Sequence, residues 1–232
     1  MKKFLLTFLT IVLMAMFFHT GAQARTSNNA KIRSSKVHRI EKNLIFNSVS
    51  NTIEPKDIAV IHEYNFTKNI VKNYSKHNGV NCSFFDPKTL KVFGVLITDK
   101  DRKVNTIYNR PTLIITQDNK VYTVEGNLRT LDNIKYAVGA GGYLTIDGKV
   151  SMSNNTHFTN GFYSMKVNRT VVAITKDNKL KFMVYRNKSL YSIAKELSKD
   201  SSIQKSLLLD GGSSTQNRYC NNGRKIPVSI VW

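Results

Sequence analysis

The sequence predicts an α+β domain: a single unit of mixed and antiparallel, hairpin-rich sheets carrying a few packed helices. Three observations predict it. β-rich runs joined by short polar turns recur along the chain. Helical periodicity is convincing in two stretches only. No Pro-, Gly- or Ser-rich linker divides the sequence in two.

The first 24 residues stand apart. Met1-Lys2-Lys3 gives a positive start, an apolar run fills 4–18, and Ala22-Gln23-Ala24 has the form of a cleavage site. That is the pattern of a secretory signal peptide. The run is short for a membrane span, and no other segment is apolar enough to cross a bilayer. The expected location is secreted or periplasmic, without a membrane-spanning segment.

Removal of 1–24 leaves 208 of the 232 residues and lowers the formal charge from +20 to +18. A chain of that length supports one domain with its own core. The charge attracts polyanions such as phosphorylated glycans, lipid head groups or nucleic acid. No nucleic-acid-binding motif accompanies it, so a specific nucleic-acid partner is not expected.

Residues 25–52 read as a basic N-terminal arm that adds an edge strand near 43–49, and the domain proper runs over 53–232. A short strand is expected over Asp57–Tyr64. A helix follows, with Phe66, Ile70, Val71 and Tyr74 on one face and Asn78-Gly79 as its stop. Residues 80–85 return to strand. Three hairpins then share one grammar: VFGVLIT-DKDR-KVNTIY, TLIIT-QDNK-VYTVEG and TVVAIT-KDNK-LKFMVY. The phrases ITQDNKV and ITKDNKL are nearly the same, but their spacing is too irregular for a solenoid. Asp147-Gly148 marks a further hairpin. Ser189 caps a second helix, with Leu190, Ile193, Ala194 and Leu197 at i, i+3, i+4 and i+7. KIPVSIVW closes the chain as a strand.

Two cysteines, Cys82 and Cys220, can pair in an exported chain, and their spacing fits no metal site. Nothing demands a cofactor. A divalent cation held by Asp210 with hydroxyl and carbonyl ligands is compatible with the sequence but not required.

The stretch SLLLDGGSST, 206–215, carries the chemistry. A greasy strand ends in a carboxylate, and burying an ionised carboxylate is costly without partners. Gly211 and Gly212 allow positive φ and close approach of a ligand. Successive amides through Ser213 and Ser214 can form an anion-binding nest. Taken alone, the same residues also describe a tight turn in which Asp210 bonds its own loop.

A series of motifs in fixed order adds to this. NxxFFD at 81–86, AGGYLTIDGKV at 140–150, RTVVAITKDNKL at 169–180, the helix SLYSIAKEL and LLLDGGSSTQ at 207–216 resemble the phosphodiester glycosidase family. The resemblance spans about residue 57 to the C-terminus, and its specificity lies in the order and spacing of the motifs. Cys82 and Ser83 stand where small glycines are usual, Gly141-Gly142-Tyr143 replaces a Gly-Pro-like pair, and the run after Asp210 has two glycines only.

The resemblance implies removal of a sugar from a phosphodiester. The leaving group is already a stable anion, so it needs charge neutralisation more than protonation. On that reading Arg169 is the expected bidentate partner for phosphate. Asp210 is the carboxylate that stabilises the oxocarbenium-like sugar, attacks it or activates water. Asn81 joins them as a catalytic candidate. Asn81 and Thr170 are expected to orient sugar hydroxyls or phosphate, Glu63 and Asp86 to supply a second carboxylate, and Gly141, Gly142 and the 211–214 amides to shape the pocket.

Three histidines stand beside these. His62, next to Glu63, reads as a strand-end residue or as one reaching the pocket. His77 reads as helix-end decoration and His157 as part of a loop over the substrate. Phe158, Phe162 and Tyr163 either stack on a sugar or pack inside. A serine hydrolase is disfavoured, because no G-x-S-x-G elbow exists. Two functions follow as expectations: a secreted hydrolase acting on a phosphate-bearing glycan or glycosyl phosphodiester, or a non-catalytic binder of anionic envelope polysaccharide on the same fold.

Overall fold

A computed structural model of the chain describes residues 48–104, 110–125, 132–152, 158–218 and 223–232. The expected leader, the arm up to residue 47, His157 and Cys220 lie outside the described residues. Within them the strands form three antiparallel sheets with three short α-helices against them, so the α+β expectation holds.

The chain enters through β1 (Ser48–Val49), an edge strand as expected. β2 (Ala59–Asn65) leads into α1 (Thr67–Asn73), whose Ile70 and Val71 are buried against Val231. The helix stops earlier than Asn78-Gly79. Ser75 takes a left-handed φ of 52°, its amide donates to the Lys72 carbonyl, and the Lys76 amide reaches the Val71 carbonyl. This is a Schellman closure on serine instead of glycine. Gly79 instead opens β3 (Gly79–Asn81), shorter than the strand expected over 80–85.

The hairpins form as read. β4 (Val95–Ile97) pairs with β5 (Arg102–Val104), and β6 (Thr112–Thr116) with β7 (Val121–Val124). β8 (Ile134–Gly139) was not expected. It lies between β4 and β6 and is buried along nearly its whole length, so it shows no polar–apolar alternation. Together these make a sheet in the order β5-β4-β8-β6-β7.

β9 (Gly142–Ile146) turns at Asp147-Gly148 into β10 (Lys149–Val150). α2 (Asn160–Ser164) precedes the long hairpin of β11 (Val167–Thr175) and β12 (Leu180–Lys188). α3 (Leu190–Leu197) follows, with the Ser189 hydroxyl accepting from the Ser192 amide at 3.2 Å. β13 (Ile203–Leu208) then inserts between β11 and β9, giving a sheet β1-β12-β11-β13-β9-β10. The closing strand β14 (Ile226–Val231) is central in the third sheet, β2-β14-β3. Pro227 cannot donate to a ladder, and the register with β2 shifts between Ile226 and Val228, where it sits.

The six-stranded sheet has two buried faces. Val172, Ile174 and Leu207 meet residues of both other sheets, such as Leu113, Val138 and Ile230, in the main core. Val171, Ala173 and Leu208 point the other way, onto Leu190, Ile193, Ala194 and Leu197 of α3. Each leucine or isoleucine on that helix face contributes roughly 1.5–3 kcal/mol by burial. β11 and β13, covered on both sides, therefore make a rigid base for whatever their ends carry.

Candidate active site

Asp210 lies two residues past β13, where the ends of β3 and β13 and the first half of β11 converge. The Leu209 amide donates to the Thr170 carbonyl at 2.9 Å, and the Asp210 amide to the Cys82 carbonyl at 2.8 Å. Asn81 ties these segments together. Its Nδ2 donates to the Asp210 main-chain oxygen at 2.7 Å, while its Oδ1 accepts from Thr170 Oγ1 at 2.6 Å and from the Gln216 amide at 3.0 Å. Gln216 extends the lattice, its Oε1 accepting from the Thr67 amide at 2.9 Å. Asn81 and Thr170 are both wholly buried. Their side chains brace the carboxylate's backbone instead of facing a sugar.

Asp210 is only 8% exposed. Burial pushes its pKa up to about 6, against bonds from Ser214 and the Gly211 amide and the positive charges of Arg224 and Arg110. The Gly211 amide sits 2.8 Å from Asp210 Oδ1. Gly212 has φ 61° and starts a one-turn 3₁₀ segment, Gly212–Ser214. That left-handed residue turns the chain back, so that Ser214, wholly buried, meets the carboxylate, while Ser213 stays exposed. The tight-turn reading of DGGSS is the one present: the turn's own donors hold the acid, and the Gly211 and Ser214 amides expected to cradle an anion are spent on the Asp210 carboxylate and the Gly211 carbonyl.

Arg169 is buried, with 2% exposure, and burial alone lowers its pKa to about 10. It remains charged at neutral pH. Nη2 donates to the carbonyls of Phe162 and Met165 at 2.9 and 3.3 Å, and the guanidinium lies 4.4 Å from the Phe162 ring centre. Nε is buried and has no partner among the described residues. The side chain runs beside Gly211, where a Cβ would come 3.6 Å from Arg169 Cδ. Arg169 is therefore near the Asp210 turn, with its Nη2 engaged at the end of α2.

Two arginines that the sequence reading passed over reach Asp210 electrostatically. Arg224 donates to Ser214 Oγ through Nε at 3.1 Å and Nη2 at 2.7 Å, and lies 5.0 Å from the Phe85 ring centre. Arg110 lies over Phe84 at 5.2 Å and Phe158 at 5.5 Å. Phe158 stacks on Phe162 with centroids 4.2 Å apart. Tyr163 goes into the core. Phe84 and Phe85 belong to the quoted NxxFFD motif and Gln216 ends LLLDGGSSTQ, so a signal existed for them. Arg110 and Arg224 stand in no motif.

Other expected site residues have partners of their own. Glu63 bonds Asn65 at 3.0 Å and Tyr74 at 3.4 Å on β2. Asp86 closes its own turn by accepting from the Lys88 amide, which lowers its pKa. His62 pairs with Asp101 at 2.7 Å, beside a shallow depression that also includes Tyr74 and Asp99. The His77 amide donates to the Trp232 carbonyl. Gly141 and Gly142 lie beside the end of β13: the Gly141 amide donates to the Leu208 carbonyl at 2.7 Å, Phe84 packs on its bare Cα, and Gly142 pairs with Leu208. Among the described residues no group of three or more His, Cys, Asp or Glu is arranged to hold a metal ion.

The family model of the phosphodiester glycosidases matches residues 76–231, more than half the chain and all the strands that meet at Asp210. The chain belongs to the phosphodiester glycosidase family. Its structure is similar to the catalytic domain of zebrafish N-acetylglucosamine-1-phosphodiester alpha-N-acetylglucosaminidase, auto-inhibited by its pro-peptide. The TM-score is 0.64 at 16% identity, covering 80% of this chain and 82% of that one. A hypothetical protein from Synechocystis (TM-score 0.55, 12% identity, 78% and 58% covered) and a protein from Burkholderia pseudomallei (0.55, 10%, 78% and 72%) share the fold. No curated protein sequence matches the chain. This phosphodiester glycosidase fold thus places a buried carboxylate among arginines, a combination suited to separating a cationic sugar from an anionic phosphate.

Proposed function

We propose that the chain is a secreted or periplasmic hydrolase that cleaves a sugar from a glycosyl phosphodiester of envelope or extracellular glycans. The observation that carries this reading is Asp210: a carboxylate on a rigid strand end, its pKa brought to about 6, with guanidinium groups close by. Export rests on the leader pattern of 1–24, and the anionic substrate agrees with the net charge of +18 left once that leader is removed (+20 less Lys2 and Lys3).

The bond that breaks joins the anomeric carbon to the phosphate oxygen. The electron pair leaves with the phosphate, which departs as an anion and needs no proton. Asp210, ionised above about pH 6, stabilises the positive charge at the anomeric carbon and takes a proton from the water that adds there. Arginine charge stabilises the departing phosphate.

Incubation of the full mature chain with a chromogenic glycosyl phosphodiester tests the reading. Sugar release is expected, lost by at least 100-fold in Asp210→Asn protein that keeps its fold. Salt-sensitive binding of phosphoglycan with no release would mark the protein as a binder instead.

A further inference from the structure

We propose that Arg224 and Arg110, and not Arg169, form the anion clamp that receives the phosphate, and that Arg169 is a positioning residue acting through a stack of rings. The inference rests on the hydrolase reading for its substrate, but the clamp is a binding site that can be tested without turnover.

Arg169 is poorly placed to take a phosphate. Both hydrogen bonds of its Nη2 go to main-chain carbonyls at the end of α2, and 98% of the residue is covered, so a phosphate could reach the unpartnered Nε only if that cover moved. Arg224 differs. Of its five N–H donors, Ser214 accepts from two, and the residue is only half-buried. Ser214 in turn bonds Asp210, so the guanidinium is held one hydroxyl away from the acid. A single serine oxygen thus fixes the separation of the anion-binding and sugar-facing groups.

Arg110 also acts on Asp210 through its charge, and its position is set by aromatic rings. Arg169 lies on Phe162, Phe162 stacks on Phe158, Phe158 faces Arg110, and Arg110 covers Phe84, at 4.4, 4.2, 5.5 and 5.2 Å. Phe84 rests against Gly141, whose amide bonds Leu208 two residues before Asp210. Planar guanidinium groups suit both the stacking and the fork recognition of phosphate oxygens, which a lysine ammonium does not reproduce. Removing the carbonyl tether at Arg169 loosens Phe162 and, through it, Phe158 and Arg110.

Titration calorimetry of the full mature chain with inorganic phosphate at pH 7 tests the clamp, with kcat and KM for the glycosyl phosphodiester measured beside it. Wild type is expected to bind phosphate, and Arg224→Met and Arg110→Met each to weaken it at least tenfold. Arg169→Lys is expected to lose less affinity than either. Arg224→Lys, which keeps the charge without the fork, gives an intermediate loss and serves if the methionine variant does not fold. In the turnover assay the Arg169→Lys change should fall on KM and on phosphate inhibition together. The clamp is overturned if wild type does not bind phosphate, if both methionine variants bind as wild type, or if the largest loss falls on Arg169→Lys. Phosphate binding that follows this order with no sugar release sinks the hydrolase reading and leaves the clamp standing.

Discussion

Asn81 Nδ2 and the main-chain oxygen of Asp210 lie 2.7 Å apart across 129 residues of sequence. That bond, with the two that Asn81 Oδ1 accepts from Thr170 and Gln216, joins β3, β11 and the Asp210 turn into one buried lattice. The carboxylate is aimed by residues that do not themselves meet solvent.

Asn81→Ala should therefore act on stability as well as turnover. It leaves the Asp210 carbonyl, the Thr170 hydroxyl and the Gln216 amide without this partner. An unsatisfied buried group costs about 1–3 kcal/mol. Urea unfolding should show a loss on the order of 3 kcal/mol, and a loss below about 1 kcal/mol would remove Asn81 from its bracing role.

Asp210→Asn should stabilise the protein at neutral pH while abolishing sugar release. The folded-state pKa, about 6, lies above the ordinary value of 3.8. Folding thus favours the protonated acid. Its contribution is fully present below about pH 4 and is lost as pH rises through 6. The difference of roughly two units corresponds to about 3 kcal/mol. Melting temperatures of Asp210→Asn and wild type should converge below pH 4 and separate above pH 6, with the variant higher. Equal melting temperatures at pH 7 would contradict the burial-driven shift.

Gly141→Ala should disturb the site from behind. A Cβ there would lie 2.7 Å from Phe84 Cε2 and 3.3 Å from Leu208 Cδ2. Phe84 must tilt, and Arg110 rests on Phe84. Overpacking of this kind costs about 1–3 kcal/mol. Phosphate affinity measured calorimetrically should fall with stability, and an unchanged affinity would show that the ring does not position Arg110.

Asn178→Ala tests a junction far from the carboxylate. Asn178 Oδ1 accepts from the Val121 amide at 2.8 Å, and its Nδ2 donates to the Asn119 carbonyl at 3.1 Å. Its φ is 61°, a conformation costing alanine about 1–2 kcal/mol. With the lost bonds, destabilisation of about 2–4 kcal/mol is expected. Asn178→Gly, free of the backbone strain, should lose less. Chemical denaturation separates the two, and equal losses would mean the backbone conformation contributes nothing.

Legibility followed how local each cause is. The turns of ITQDNKV and ITKDNKL could be read because Thr116 and Thr175 each bond the residue four positions on in the same way. That Asn178 of one turn clasps Asn119 of the other could not be read, since it depends on how two sheets pack. α3 was legible from one apolar face and one cap, whereas α1 was placed but overrun, because a serine took the left-handed position that glycine usually fills.

At the site, the sequence by itself determined that a carboxylate would stand at the end of a buried strand, followed by a turn able to donate to it. Every residue needed lies within 206–215, and backbone chemistry acts over that range. Only the tertiary structure decided which cations face it. Arg169 is two residues into its strand and stands in a motif, yet the carbonyls at the end of α2 take its Nη2. Arg110 and Arg224 precede β6 and β14 in stretches with no pattern, and reach Asp210 because those strands are brought beside it. Long cationic side chains take their direction from whichever rings and carbonyls surround them, and those neighbours come from distant parts of the chain.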